Sequence, residues 1–298
     1  MSAQNSKVFL VTGSSRGLGR AIAEAVLAAG HRLVATARTP TQLADLVDKY
    51  GDQVRAVALD VTDPAAAQAA VQVAVEAFGQ LDVLVNNAGY ANVASVEDIT
   101  AEDFREQVDT NLLGVVNLTK AALPVLREQG AGHIIQVSSV GGRAPALGLS
   151  AYQASKWAVG GFSEVLNLEV APLGIKVTVL EPGGMRTDWG GSSMAVHPVS
   201  EPYQATVGAF AERLRANNDG AASDPAKVAQ VLLRVADMEQ PPLRLLLGSD
   251  AVAVAGAVEA GRAKRDAEFR ELSNSTDHDE WTPAHLAALK EMLGAAAQ

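Results

Sequence analysis

The chain contains no cysteine, which excludes disulfides, thiolate metal sites and a thiol nucleophile. Aromatic residues make up only 4% of its 298 residues, so the core must be built mainly from aliphatic side chains. Lysine and arginine number 24 against 34 aspartates and glutamates, a net charge of −10. Such a chain lacks the clustered basic surface that neutralising nucleic-acid phosphates requires. No uninterrupted apolar run is long enough to span a bilayer, and no leader-like stretch of basic then apolar residues precedes the first apolar segment. The expectation is a soluble cytoplasmic protein with neither nucleic acid nor membrane as partner. Histidines number 5, and no two have metal-ligand spacing, so no metal site is expected. His31, His133, His278 and His285 read as structural or exposed. Internal repeats and low-complexity linkers are also missing.

What is present begins with an apolar, β-branched run over residues 7–12, which reads as a buried strand. Gly13, Gly17 and Gly19 follow at once, and an Ala- and Leu-rich stretch over 20–29 stops at Gly30. Strand, glycine-rich turn and helix start form the layout of a dinucleotide-binding first crossover. The glycines let the backbone approach a pyrophosphate, and the helix N-terminus offers free N–H groups to that anion. Further strand-like runs at 32–37, 54–59, 81–86, 133–137 and 176–180 alternate with helical stretches. Asp63 reads as a helix N-cap with Pro64 in the first turn and Gly79 at the end. The pattern implies an α/β fold, a single Rossmann-type doubly wound parallel sheet of about seven strands with helices on both faces. Residues 1–298 read as one domain, with a core at 7–249, a substrate lid at about 185–222 and a helical tail at 250–298. In the lid a helix is expected over 202–216, with a break at 217–220. Another helix opens at Pro225 and should run to Pro241, before a last strand at 243–247.

Tyr152 and Lys156 stand four residues apart, just downstream of the paired serines Ser138 and Ser139. On a helix they share a face, so the ammonium is expected to stabilise the phenolate and lower the Tyr152 pKa. A tyrosine tuned in this way can move a proton to or from a carbonyl oxygen.

Thr12-Gly13-Ser14-Ser15-Arg16-Gly17-Leu18-Gly19 resembles the TGxxxGxG signature of the short-chain dehydrogenase/reductase family. Asp60-Val61 resembles the family's adenine-contacting pair, and Asn86-Asn87-Ala88-Gly89 its NNAG motif. Asn111, Ser139 and Tyr152 with Lys156 fit its catalytic set, and Pro182-Gly183 with Thr187 its nicotinamide-contacting segment. The resemblance covers residues 7–188 and implies a hydride-transfer site. Tyr152 would be the general acid or base, Ser139 would orient the substrate oxygen, and Lys156 would hold the nicotinamide ribose. Asn111 would hold a water that relays protons to Lys156. Spacing to Tyr152 favours Ser139 over Ser138. Cofactor contacts are expected from Gly13, Ser15, Arg16, Gly17, Leu18, Gly19, Arg38, Asp60, Val61, Asn87, Ala88, Gly89, Tyr152, Lys156, Pro182, Gly183 and Thr187.

An acidic residue at the end of the second strand would bind the ribose hydroxyls of NAD and repel a 2′-phosphate. Residues 35–39 hold no carboxylate, and Arg38 stands there instead, with Arg16 as a second guanidinium. NADP(H) is therefore the preferred cofactor, with NAD(H) possible. The pocket walls, at 90–94, 141–149 and 185–210, are apolar enough for a lipophilic ketone or secondary alcohol, and His197 falls among them. The segment around Glu181 and the Leu-Leu-Leu-Gly-Ser-Asp-Ala run at 245–251 lean toward the steroid- and retinol-dehydrogenase-like branch. An epimerase or dehydratase on the same fold would be longer and carry TGxxGxxG. A non-catalytic cofactor-binding regulator would show a broken catalytic set. A homodimer is expected, with a tetramer possible.

Overall fold

The computed structural model describes residues 6–185, 194–216 and 222–296. Seven strands form one fully parallel sheet: β1 (Val8–Val11), β2 (Arg32–Ala37), β3 (Val54–Ala58), β4 (Val83–Asn86), β5 (Gly132–Val137), β6 (Ile175–Pro182) and β7 (Arg244–Leu247). Their order is β3-β2-β1-β4-β5-β6-β7. β1 lies beside β4, with β2 and β3 turned to the other side. The chain therefore winds in both directions from β1, and the crevice at the carboxyl ends of β1 and β4 is where such sheets bind ligands.

Strand alternation sorts the core into two layers. Phe9 and Val11 join Ile22, Val26 and Leu27 of α1 (Gly17–Ala28) and Val228 and Leu232 of α8 (Pro225–Asp237). Val8 and Leu10 face the opposite side. They pack with α3 (Pro64–Phe78), α5 (Gly114–Gln129) and α6 (Ser150–Val170), through Ala70, Val71, Leu118, Leu126 and Leu166. Strands buried on both faces need continuous apolar runs, and this explains why the sequence shows no polar alternation there. Punctuation behaves as expected at α3: Asp63 accepts from the Ala65 N–H at 2.8 Å, and Gly79 closes the helix at a φ of 81°.

Shorter helices complete the set: α2 (Ala44–Tyr50), α4 (Ala101–Val108) and α7 (Ala209–Ala216). The helix expected over 202–216 is instead a 3-10 turn (Glu201–Tyr203), a π turn (Gln204–Gly208) and then α7. Pro202 and Gly208 both disfavour a continuous α-helix there. α8 stops at Asp237, short of the expected Pro241. The break expected at 217–220 lies outside the described residues. The chain divides into two compact units, residues 1–255 and 256–298. α9 (Ser249–Glu268) starts in the first, and the second holds α10 (Arg270–Asn274) and α11 (Pro283–Ala296). Among the described residues, no helix is long and apolar enough to cross a membrane.

Candidate active site

The turn after β1 is shaped by what its glycines lack. Gly13 and Gly17 take φ values of 70° and 55°, in the left-handed region. A Cβ on Gly19 would overlap the Gly13 carbonyl oxygen and the Asn87 side-chain amide, and one on Gly13 would lie 3.1 Å from Ala88 Cα. The ends of β1 and β4 are laced together. Thr12 Oγ1 accepts from the N–H groups of Asn87 and Ala88 at 2.9 Å, and Asn87 Nδ2 donates to Thr12 O at 2.9 Å. Ser15, Gly17 and Leu18 are half-buried, and Arg16 precedes α1 in extended conformation with its side chain exposed. No carboxylate stands in the first turn of α1. This cradle, which side chains would fill, fits a dinucleotide pyrophosphate at a helix N-terminus.

Arg38 follows β2 directly and is exposed, as is Asp60 beyond β3. Among the described residues neither Arg16 nor Arg38 makes a hydrogen bond or ion pair, although Arg38 attracts the Asp60 carboxylate. Asp60 Oδ1 takes both the N–H (2.9 Å) and the hydroxyl (2.7 Å) of Thr62. Those bonds hold its pKa below the usual carboxylate value. Val61 is buried, and its carbonyl accepts from Asn117 Nδ2 at 3.0 Å.

Tyr152 and Lys156 sit one turn apart on α6, both buried, at 7% and 4% exposure. Ser139, at the end of the β5 segment, hydrogen-bonds Tyr152 and also accepts from the Gly141 N–H at 3.0 Å. Ser138 instead donates its hydroxyl to the α6 backbone, at Lys156 O, 3.3 Å away. Lys156 Nζ donates to Val137 O at 2.8 Å and lies 5.7 Å from the centre of the Tyr152 ring. The expectation that Lys156 would lower the Tyr152 pKa is corrected here. Burial pushes the phenol up to about 12, outweighing the opposing Ser139 bond, and pushes the Lys156 ammonium down to about 8. Both groups are buried on α6, so desolvation dominates.

Asn111 is fully buried in a π turn (Asp109–Leu113) between α4 and α5. Its side chain clasps the Tyr90 backbone, accepting from N–H at 3.0 Å and donating to C=O at 2.8 Å. That amide therefore fixes the strand of chain beyond Gly89. A Cβ on Gly89 would stand 2.6 Å from Asn111 Oδ1. Pro182 ends β6, and the Gly183 N–H donates to Leu247 O at 3.0 Å. Thr187 lies outside the described residues.

Beside Tyr152, an apolar cluster joins Ala91, Val93, Leu149, Met194 and Val207 from the three expected wall segments. Three polar arrangements around it are not visible in the sequence pattern. Asp103 of α4 accepts from Asn92 Nδ2 (2.7 Å) and Gln107 Nε2 (3.2 Å) and lies 2.9 Å from His197 Nε2, off-axis for a hydrogen bond. Glu181, fully buried on β6, pairs with both Arg143 and Arg244. Asp250 reaches the loop after β6. The i,i+4 pair of Asp103 and Gln107 was the one local signal available.

Residues 7–195 match the family model described as short chain dehydrogenase. The chain is 59% identical over 269 residues to the oxidoreductase BOA17 of Botryotinia fuckeliana, covering 90% of this chain and 98% of that one. It is 36% identical to a 3-alpha-(or 20-beta)-hydroxysteroid dehydrogenase of Mycobacterium bovis, over 71% of this chain and 80% of that one. A short-chain dehydrogenase structure from Streptomyces avermitilis superposes with a TM-score of 0.85 at 40% identity, over 93% of this chain and 100% of that one. Similar structures also include complexes with nucleotides. An alcohol dehydrogenase from Thermococcus sibiricus is complexed with 5-hydroxy-NADP (TM-score 0.67, 27% identity, 82% of this chain and 97% of that one). A 3-ketoacyl-(acyl-carrier-protein) reductase from Brucella melitensis is complexed with NADH (TM-score 0.69, 27% identity, 81% and 96%). The chain belongs to the short-chain dehydrogenase family and is an NAD(P)-dependent oxidoreductase.

Proposed function

We propose that this oxidoreductase uses NADP(H) to interconvert a lipophilic ketone and its secondary alcohol. The observation that carries the cofactor choice is Arg38. It stands exposed after β2, with no hydrogen bond or ion pair to a carboxylate among the described residues, where NAD selection would require an acid. Arg16 adds a second fork at the start of α1. Gly13, Ser15, Gly17, Leu18 and Gly19 would hold the pyrophosphate, and Asp60 and Val61 the adenine. Asn87, Ala88, Gly89, Pro182, Gly183 and Thr187 would line the rest. Bound there, the nicotinamide supplies the hydride.

The chain's own groups handle the proton and the substrate. Tyr152, with its pKa pushed up to about 12, keeps its phenol proton at neutral pH and can donate it to a carbonyl oxygen. Ser139 orients that oxygen from the adjoining turn. Lys156 spends one N–H on Val137 O and keeps the others for the cofactor ribose. The role of Asn111 is positional: it fixes the Tyr90 backbone beside the same site. The lipophilic reading rests on the Val93, Leu149, Met194 and Val207 wall, and the steroid dehydrogenase relative is consistent with it. A homodimer in the cytoplasm belongs to the same proposal. Leu113, Trp157, Val165 and Leu168 are exposed along the π turn and α6, where an apolar stripe suits self-association.

The test is a matched titration of NADPH and NADH by nicotinamide fluorescence, with no substrate added. Tighter NADPH binding, lost selectively in Arg38→Ala, is the expected result. Equal losses of both cofactors in that variant would remove the role given to Arg38, and equal or tighter NADH binding by the wild type would reverse the cofactor assignment.

A further inference from the structure

The loop that leaves β6 carries Pro182, Gly183 and Gly184, and three ties hold its backbone. The Gly183 N–H donates to Leu247 O at 3.0 Å, and the Ser223 N–H donates to Gly184 O at 3.0 Å. The third tie is a side chain: Asp250 Oδ2 accepts from the Gly184 N–H at 2.7 Å, across 66 residues of sequence.

Asp250 opens the 20-residue helix α9, where an acid ordinarily serves its own helix dipole. Here the carboxylate turns away from its helix. Its only hydrogen bond among the described residues goes to Gly184, and its Oδ1 is buried with no partner. The surroundings are cleared for it. A Cβ on Gly183 would overlap both carboxylate oxygens, although Gly183 is not in the left-handed region. A Cβ on Gly248 would lie 2.5 Å from Oδ1. Glycine at 183 is thus explained by the room the carboxylate needs, not by backbone conformation.

We propose that Asp250 is a positioning residue that sets the Gly183–Gly184 backbone for the nicotinamide half of the cofactor. The proposal rests on the NADP(H) reading above. It separates two halves of one ligand: the adenine and 2′-phosphate are held by the β1–β3 side of the crevice, and the nicotinamide end by a loop that Asp250 fixes.

Calorimetry would compare NADPH with 2′-phosphoadenosine 5′-diphosphoribose, which lacks the nicotinamide, on the full chain. In Asp250→Ala, NADPH binding should weaken about tenfold or more, as expected for a lost charge-assisted hydrogen bond, while the truncated ligand binds as before. Asp250→Asn keeps an acceptor oxygen of the same reach and should restore most of the NADPH affinity. If the alanine variant does not fold, Asp250→Glu carries the same test. It keeps the charge and the acid in the first turn but moves the carboxylate by one methylene, so a loss confined to NADPH is again expected. Equal weakening of both ligands, no weakening of either, or an asparagine variant as weak as alanine would each overturn the proposal. Wild-type protein that binds neither ligand would instead overturn the NADP(H) reading on which the proposal stands.

Discussion

The two ends of the sheet are built from the same kind of bond and put it to different use. At the amino ends of the strands, side chains tie the backbone down. Asp82 accepts from the Val8 N–H at 2.6 Å, His31 Nδ1 from the Lys7 N–H at 3.2 Å, and Gln129 brackets Leu81 with bonds of 3.1 and 2.8 Å. At the carboxyl ends, Thr12, Asn87, Asn111 and Asp250 also bind backbone, and there they fix the loops that surround the crevice. Glycine N–H groups, two arginine forks and most of the Lys156 ammonium keep spare donor capacity. An end that uses up its polar groups is a structural seal. An end that fixes polar groups without pairing them is arranged for a ligand.

Glycine substitutions test this contrast with the largest expected effect. Gly19→Ala at the carboxyl end drives a methyl into the Gly13 carbonyl, a backbone atom that no rotamer change can move. A cost of about 4 kcal/mol or more is expected, together with loss of cofactor binding. At the opposite end Gly30 ends α1 with a φ of 82° and nothing within 4 Å of an added Cβ. Gly30→Ala then costs only the left-handed strain, about 1 kcal/mol. Denaturant midpoints of the two variants measure the difference. Equal midpoints would mean that the Gly13–Gly19 turn is not close-packed.

Glu181 comes next. Its carboxylate is fully buried between Arg143, which follows the Ser139 turn, and Arg244 of β7. Glu181→Gln keeps the shape but removes the buried charge that Arg143 and Arg244 share, while Arg244 retains Glu164 at 2.7 Å. Removing one partner of a buried pair costs about 3–5 kcal/mol. The surface pair Lys7–Asp237, whose side chains are 30% and 38% exposed, should give about 1 kcal/mol or less in a double-mutant cycle. A Glu181→Gln midpoint near wild type would show that water reaches the cluster.

The sheet was legible because its signals are local. The expected strand at 32–37 coincides with β2, and Asp63, Pro64 and Gly79 cap α3 as expected. The catalytic spacing was legible for the same reason, since one helical turn joins Tyr152 to Lys156. Its electrostatics were not, because burial depends on what packs above α6. The ties around the pocket were also hidden. Tyr203 hydroxyl to Glu97 spans 106 residues, Ser200 N–H to Asp98 spans 102, and Gly184 to Asp250 spans 66, and no period in the sequence encodes them. The segment at 201–208 was misread because Pro202 fits a helix start as well as a 3-10 turn, leaving the π turn unannounced.

Buried titratable groups at the two ends should respond to opposite pH ranges. His133, at the start of β5, has its pKa pushed down to about 3 from the ordinary 6.5, chiefly by desolvation. Between those values the unfolded chain takes up a proton that the folded chain refuses, so stability is lost as pH falls from 6.5 toward 3. The slope from one such group is at most about 1.4 kcal/mol per pH unit. Lys156, down at about 8 from 10.5, acts in the alkaline range, where its contribution to stability rises with pH between those values. His133→Gln, retaining a partner for Thr178, should flatten only the acid limb, and Lys156→Met only the slope between 8 and 10.5. Melting temperatures across pH 4 to 10 would show each change. Curves that shift in parallel across the whole range would contradict both assignments.

The smallest effect separates holding a loop from stabilising the fold. His197 Nε2 lies 2.9 Å from Asp103 Oδ2, with side chains 29% and 11% exposed. Asp103 keeps Asn92 and Gln107 as partners if the imidazole is removed, so no carboxylate is orphaned. His197→Ala should therefore cost about 1 kcal/mol or less in global stability. The segment it belongs to is tied to the Val93 strand at both flanks: Val93 N–H donates to Ala195 O at 2.8 Å, and His197 N–H to Val93 O at 2.9 Å. Met194, on the same segment, packs in the apolar cluster with Tyr152. Loosening one tie should then raise KM for a turned-over ketone several-fold while leaving kcat and cofactor affinity near wild type. A stability loss beyond about 2 kcal/mol would make His197 part of the structural seal, like His133, and not a fastening of the pocket wall.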